Sequence, residues 1–155
     1  MKTNKNFMSA AVLIAVFAVL SSFAPMPGSH AFKVYLDDKL LAEQYVSAKT
    51  EVPRLAIDPS ENHKQLIVKY SECGRTVSGR KLTIKDNDDK VLKELSFEGS
   101  TAGFKDGMTC SVKDLVALKP KSNNTLKLFY SSVDFPQGQH VATLVIGPGT
   151  NTASN

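Results

Sequence analysis

Three histidines, two cysteines and one acidic run are the side chains of this 155-residue chain that could do chemistry. The histidines are His30, His63 and His140. Imidazoles are the usual acid–base groups and metal ligands near neutral pH. If successive strands run antiparallel, His63 falls in a turn at one end of the fold and His140 begins a strand at the other. A strand length, on the order of 20 Å, then parts them, too far for one metal or one shared catalytic site. Cys73 and Cys110 are the only thiols, and no CxxC occurs. That spacing lacks the signature of a redox or metal pair, and an even count in an exported chain reads as a disulfide. A Cys73–Cys110 bridge is therefore expected. It would close a loop of about 38 residues, worth on the order of 4 kcal/mol in the chain-entropy picture.

The run Asp86-Asn87-Asp88-Asp89 resembles the opening of a calcium loop. The sixth position is Val91 instead of glycine, and the twelfth is Phe97 instead of glutamate. An acidic hairpin turn accounts for the run, and for Asp37-Asp38 as well, because Asp and Asn tolerate turn geometry. No GxSxG, HExxH or GxxxxGK[ST] occurs. Beyond residue 31 the only methionine is Met108, so soft ligands for copper are scarce. Asn123-Asn124-Thr125 is a glycosylation sequon, relevant only in a eukaryotic secretory route. No catalytic residue, metal or cofactor is assigned. A small secreted hydrolase stays as the alternative, because a Ser/His/Asp triad assembles in space and leaves no contiguous motif.

The N-terminus points to export. Lys2 and Lys5 precede an uncharged apolar stretch over residues 7–20, followed by small residues and Ser29-His30-Ala31. That is a charged region, an apolar region and a small-x-small cleavage site. Residues 1–31 are read as a secretory signal peptide, with Phe32 as the new N-terminus and the periplasm or the exterior as destination. An uncleaved anchor over 7–24 is the alternative, at the short limit for a membrane span. No cysteine near the cleavage site could carry a lipid, and no second stretch approaches membrane length. Loss of Lys2 and Lys5 lowers the formal charge from +4 to +2. So even a balance excludes a nucleic-acid role built on charge.

The elements that must position these residues are short. Apolar stretches separated by turn signals every eight to twelve residues or so indicate an all-β sandwich or barrel. Strands are expected over 32–36, 40–45, 52–58, 65–71, 80–85, 90–97, 108–112, 125–131 and 140–146. Ser111 and Asp114 have capping-box spacing, and Leu115 and Leu118 lie one turn apart, so a short helix is expected over 112–118. The expected fold is a single antiparallel β-sandwich of immunoglobulin-like type over 32–146, with a flexible tail over 147–155. An orthogonal barrel is the alternative. No tryptophan is present to play the core role it has in antibody domains.

Such a sandwich hosts many functions, so function must come from a site. Antiparallel counting puts the loops 46–51, 74–79, 98–107 and 132–139 at one end. Tight charged turns and the helix occupy the other. The longer loops hold Arg75, Phe104 and Phe135. Arginine and exposed aromatics anchor interfaces. These three residues are expected to form a binding patch near the disulfide, for a protein or a glycan. The competing role for both phenylalanines is to plug the open end of the core.

Overall fold

Alternating apolar and polar residues bury one face of each strand and bring two sheets together. The computed structural model describes residues 30–47 and 50–149. The first sheet has the order β2-β1-β4-β7, built from β1 (His30–Leu36), β2 (Lys39–Tyr45), β4 (Gln65–Glu72) and β7 (Met108–Ser111). The second has the order β3-β9-β8-β5-β6, built from β3 (Arg54–Ile57), β5 (Arg80–Lys85), β6 (Val91–Phe97), β8 (Thr125–Ser131) and β9 (Gln139–Ile146). Among the described residues one helix, α1 (Val112–Leu118), follows β7. The expected export segment lies outside the described residues, apart from His30 and Ala31. Those two are the first residues of β1. Residues 150–155 of the expected tail also lie outside them.

The core lies between the sheets. Phe32 and Val34 from β1, Leu66 and Val68 from β4, Leu82 and Ile84 from β5, and Leu126 and Leu128 from β8 are all at most 1% exposed. Tyr70 of β4 and Tyr130 of β8 stack across the two sheets, with centroids 3.8 Å apart and planes within 13°. Their rings fill the centre of a sandwich that has no tryptophan.

Helix α1 spans the residues its capping pattern indicated. The Ser111 side chain accepts a hydrogen bond from the Asp114 amide, and Val112 and Leu115 are buried. Asp114 also meets Lys93 of β6 at 2.7 Å, tying α1 to the edge of the second sheet.

Two expectations are corrected. The sandwich is mixed rather than wholly antiparallel, because β3 runs parallel to β9. After β2 the chain crosses to the second sheet, where Thr143 donates to the Pro53 carbonyl and β3 enters alongside β9. The Cys73–Cys110 disulfide is absent, and both thiols are free. Strand register gives the reason. Cys110 pairs with Leu66, near the start of β4, whereas Cys73 follows the last residue of that strand. Seven residues of extended chain separate the two levels, about 23 Å at ~3.3 Å per residue. A disulfide needs Cα atoms within about 7 Å. Cys73 instead occupies a tight turn. It and Gly74 both have positive φ, 53° and 69°, and Arg75 donates to the Glu72 carbonyl.

Candidate functional site

The connection from β6 to β7 determines where Phe104 sits. Its anchor is Arg80, which is 4% exposed. The guanidinium donates through Nε to the Glu98 carbonyl at 2.8 Å and through Nη1 to the Asp106 carbonyl at 3.0 Å. A longer contact reaches the Gly99 carbonyl at 3.5 Å. Ser100 and Val77 exchange backbone hydrogen bonds. The Asp106 carboxylate accepts from the Thr101 amide and hydroxyl, which hold its pKa below the usual carboxylate range. The loop is therefore tied at both ends.

This loop sets Phe104 over the outer face of the first sheet. The Lys33 ammonium lies 5.0 Å from the Phe104 ring centroid and pairs with Glu43 of β2 at 2.8 Å. Beside it, the Lys69 ammonium lies 5.4 Å from the Tyr35 ring centroid. Register places Lys33 opposite Lys69, and Tyr35 between Ile67 and Leu40. Leu40 is 45% exposed and Tyr45 is 72% exposed. The outer face thus combines half-exposed aromatics, exposed apolar side chains and two lysines. Cation–π contacts of this kind contribute about 0.5–1 kcal/mol each at exposed sites.

Arg75 and Phe135 lie at the end of the sandwich around Glu72, Arg75 bonded to it directly and Phe135 by way of Ser132. Glu72 is 1% exposed, and one oxygen accepts from the Tyr130 hydroxyl at 2.8 Å and the Ser132 hydroxyl at 2.6 Å. The Phe135 amide donates to the Ser132 hydroxyl oxygen, and the Arg75 amide to the Glu72 carbonyl. The Phe135 ring is half-buried against the core, edge-on to His30 at 4.9 Å. The structure therefore links Arg75 and Phe135 through Glu72, whereas Phe104 has Lys33 as its neighbour. Glu72 was not singled out in the sequence. The signal was there, because it continues the inward positions 66, 68 and 70 of β4.

Neither a protein-family model nor a curated protein matches this chain. Function must therefore be argued from the residues themselves.

The histidines are all engaged. His63 bonds through Nδ1 to Asp37 at 2.9 Å and through Nε2 to Glu61 at 2.5 Å. Both carboxylates raise its pKa, Asp37 more than Glu61. When protonated, the imidazolium can donate from both nitrogens to the two carboxylates. The other Asp37 oxygen accepts from the Lys64 and Gln65 amides, fastening the β1–β2 turn to the β3–β4 loop. Asp37 has φ of 53°, which Asp tolerates in a turn. His140 stacks on Phe129 at 4.6 Å, with Lys85 over the same ring, and burial lowers its pKa. His30 meets the Tyr70 hydroxyl at 3.1 Å.

His63 borders a cleft of about 460 Å³ between β2 and β3, lined also by Leu36, Lys39, Leu41, Ala56, Asp58, Glu61 and Gly149. In sequence the Asp37 and His63 turns read only as chain reversals at this end. The nearby Ser60 hydroxyl donates to Asp58 at 2.7 Å and makes no bond to His63. Among the described residues, no three His, Cys, Asp or Glu side chains are grouped to hold a metal ion. No helix among them is long and apolar enough to cross a membrane.

Proposed function

We propose that this chain is an exported, non-catalytic binding module, acting in the periplasm or outside the cell through the outer face of its first sheet. The observation that carries the reading is the pairing of Phe104 with Lys33 and of Tyr35 with Lys69 on that one face. Aromatic rings flanked by hydrogen-bonding cations suit a protein or glycan partner. Export rests on Lys2, Lys5, the apolar run and the small residues that follow it. Arg75 and Phe135 would border the contact from the adjoining end.

We also read the sandwich as immunoglobulin-like. The order β1-β4-β7 matches strands A-B-E of such domains, and β9-β8-β5-β6 matches G-F-C-C′. Strand β2 and the parallel β3 are then additions, and the Tyr70–Tyr130 stack joins the two strands that a disulfide links in antibody domains.

The test is capture by the immobilised chain of envelope proteins and glycans, compared with the Tyr35→Ala/Phe104→Ala double variant. The reading expects a bound species that the double variant loses while its melting temperature stays within a few degrees. Equal capture by both proteins would refute it. A small secreted hydrolase is the second reading, favoured by His63 between two carboxylates beside a cleft. It expects turnover of ester, peptide or glycoside substrates that His63→Ala abolishes.

A further inference from the structure

We infer that the cleft between β2 and β3 is a separate binding site for a small zwitterion with an aliphatic side chain, an α-amino acid such as leucine. Three features of the cleft meet the three parts of such a ligand. Its floor is apolar: Leu36 and Leu41 come from the first sheet, and Ala56, with Gly149 close against it, from the edge of the second. Its rim carries Asp58 and Lys39, which have opposite charges and no ion-pair partner among the described residues. A leucine side chain would cover the floor, its ammonium would meet Asp58, and its carboxylate would meet Lys39.

Asp58 is prepared for this role. Its Oδ1 accepts from the Ser60 amide at 2.8 Å and the Ser60 hydroxyl at 2.7 Å, leaving Oδ2 without a hydrogen bond. The Ser60 bonds also hold its pKa below the usual carboxylate range. Glu61 and His63 bond each other and shape the rim, while Asp58 feels the His63 charge without forming an ion pair with it. Small-molecule sites typically combine an apolar lining with a few convergent polar groups, in volumes of roughly 300–1,000 Å³. The cleft, at about 460 Å³, falls in that range. A purely cationic ligand would leave Lys39 unanswered, and a purely anionic one would leave Asp58 unanswered.

The test is an NMR titration of the exported full chain with leucine, with 3-methylbutylamine (no carboxylate) and with 4-methylpentanoate (no ammonium). Leucine is expected to give saturable shifts at Leu36, Leu41 and Ala56. Each one-headed analogue is expected to bind at least tenfold more weakly. Asp58→Asn, which keeps an acceptor for Ser60, and Lys39→Met should each weaken leucine at least tenfold without moving the melting temperature. The Tyr35→Ala/Phe104→Ala variant should bind leucine as the parent does, so this site and the outer face fail or survive separately. Equal binding by either analogue, unchanged affinity in either rim variant, or shifts that never saturate would overturn the inference. So would leucine binding only after removal of residues 150–155, because the cleft would then belong to the chain's own terminus.

Discussion

Replacing Arg80 with methionine should release the loop that carries Phe104. Methionine keeps most of the side-chain volume and removes every donor. Two good bonds are lost, to the carbonyls of Glu98 at 2.8 Å and Asp106 at 3.0 Å, and the 3.5 Å contact to Gly99 adds little. Hydrogen bonds from charged donors contribute about 1.5–3 kcal/mol each, so the gross loss is about 3–6 kcal/mol. Two effects offset it. The guanidinium no longer has to be held out of water, and the freed carbonyls lie close enough to the surface to regain water. The lower end of the range, about 3 kcal/mol, is the expected net cost. With an m-value of about 2 kcal/mol/M, the urea midpoint should fall by about 1.5 M. Circular dichroism at 25 °C measures that midpoint, and amide exchange over 98–107 reports the loop directly. Arg80→Lys should recover less than half of the loss, because one ammonium cannot reach both carbonyls in the geometry of a planar fork. A midpoint for Arg80→Met within about 0.3 M of the parent, or unchanged exchange in the loop, would refute the assignment of Arg80 as its anchor.

Tyr130→Phe removes one of the two hydroxyls on buried Glu72, and should lower stability by about 1–3 kcal/mol in the same urea assay. The pKa of His63 is raised in the folded state, so its contribution to stability is full below the ordinary histidine pKa and fades as pH rises through the raised value. Melting temperature should therefore decline on the alkaline side, and His63→Gln should flatten that decline. The Asp37 pKa is lowered, so the same clamp should also weaken in acid, as pH falls below the ordinary Asp value and through the lowered one. Cys73 is exposed, whereas burial pushes the Cys110 thiol up to about 12. Iodoacetamide should alkylate Cys73 in the native protein and Cys110 only after unfolding, and an intramolecular bridge in non-reducing mass spectrometry would contradict the β4–β7 register.

Much of the layered architecture was legible because period-two alternation is strong in β1, β4 and β8. Ser111 and Asp114 likewise marked the start of α1 from local spacing alone. What failed depended on long-range path. The Cys73–Cys110 pairing followed from the even count of cysteines, but a bridge would need β7 to begin level with the end of β4. The 98–107 loop instead spends its length being fastened by Arg80, and β7 joins only the first half of β4. The parallel placement of β3 rests on a sheet crossing that no local pattern records. The Asp37–His63–Glu61 clamp was hidden for a related reason. Each residue fits a plain turn, and only the approach of the β1–β2 turn to the connection that carries the chain from β3 to β4 creates the contact. Phe104 was noticed because no strand face explained it. Lys33, its neighbour, looked like any outward residue of β1.

The central claim, that the outer face of the first sheet is the binding surface, is tested most directly by an amide-exchange footprint of the captured partner on the chain. Protection is expected over 33–45, 67–71 and 100–106, the segments that carry Lys33, Tyr35, Leu40, Tyr45, Lys69 and Phe104. Protection confined to the second sheet, or to the 58–63 loop, with those segments unchanged, would contradict it.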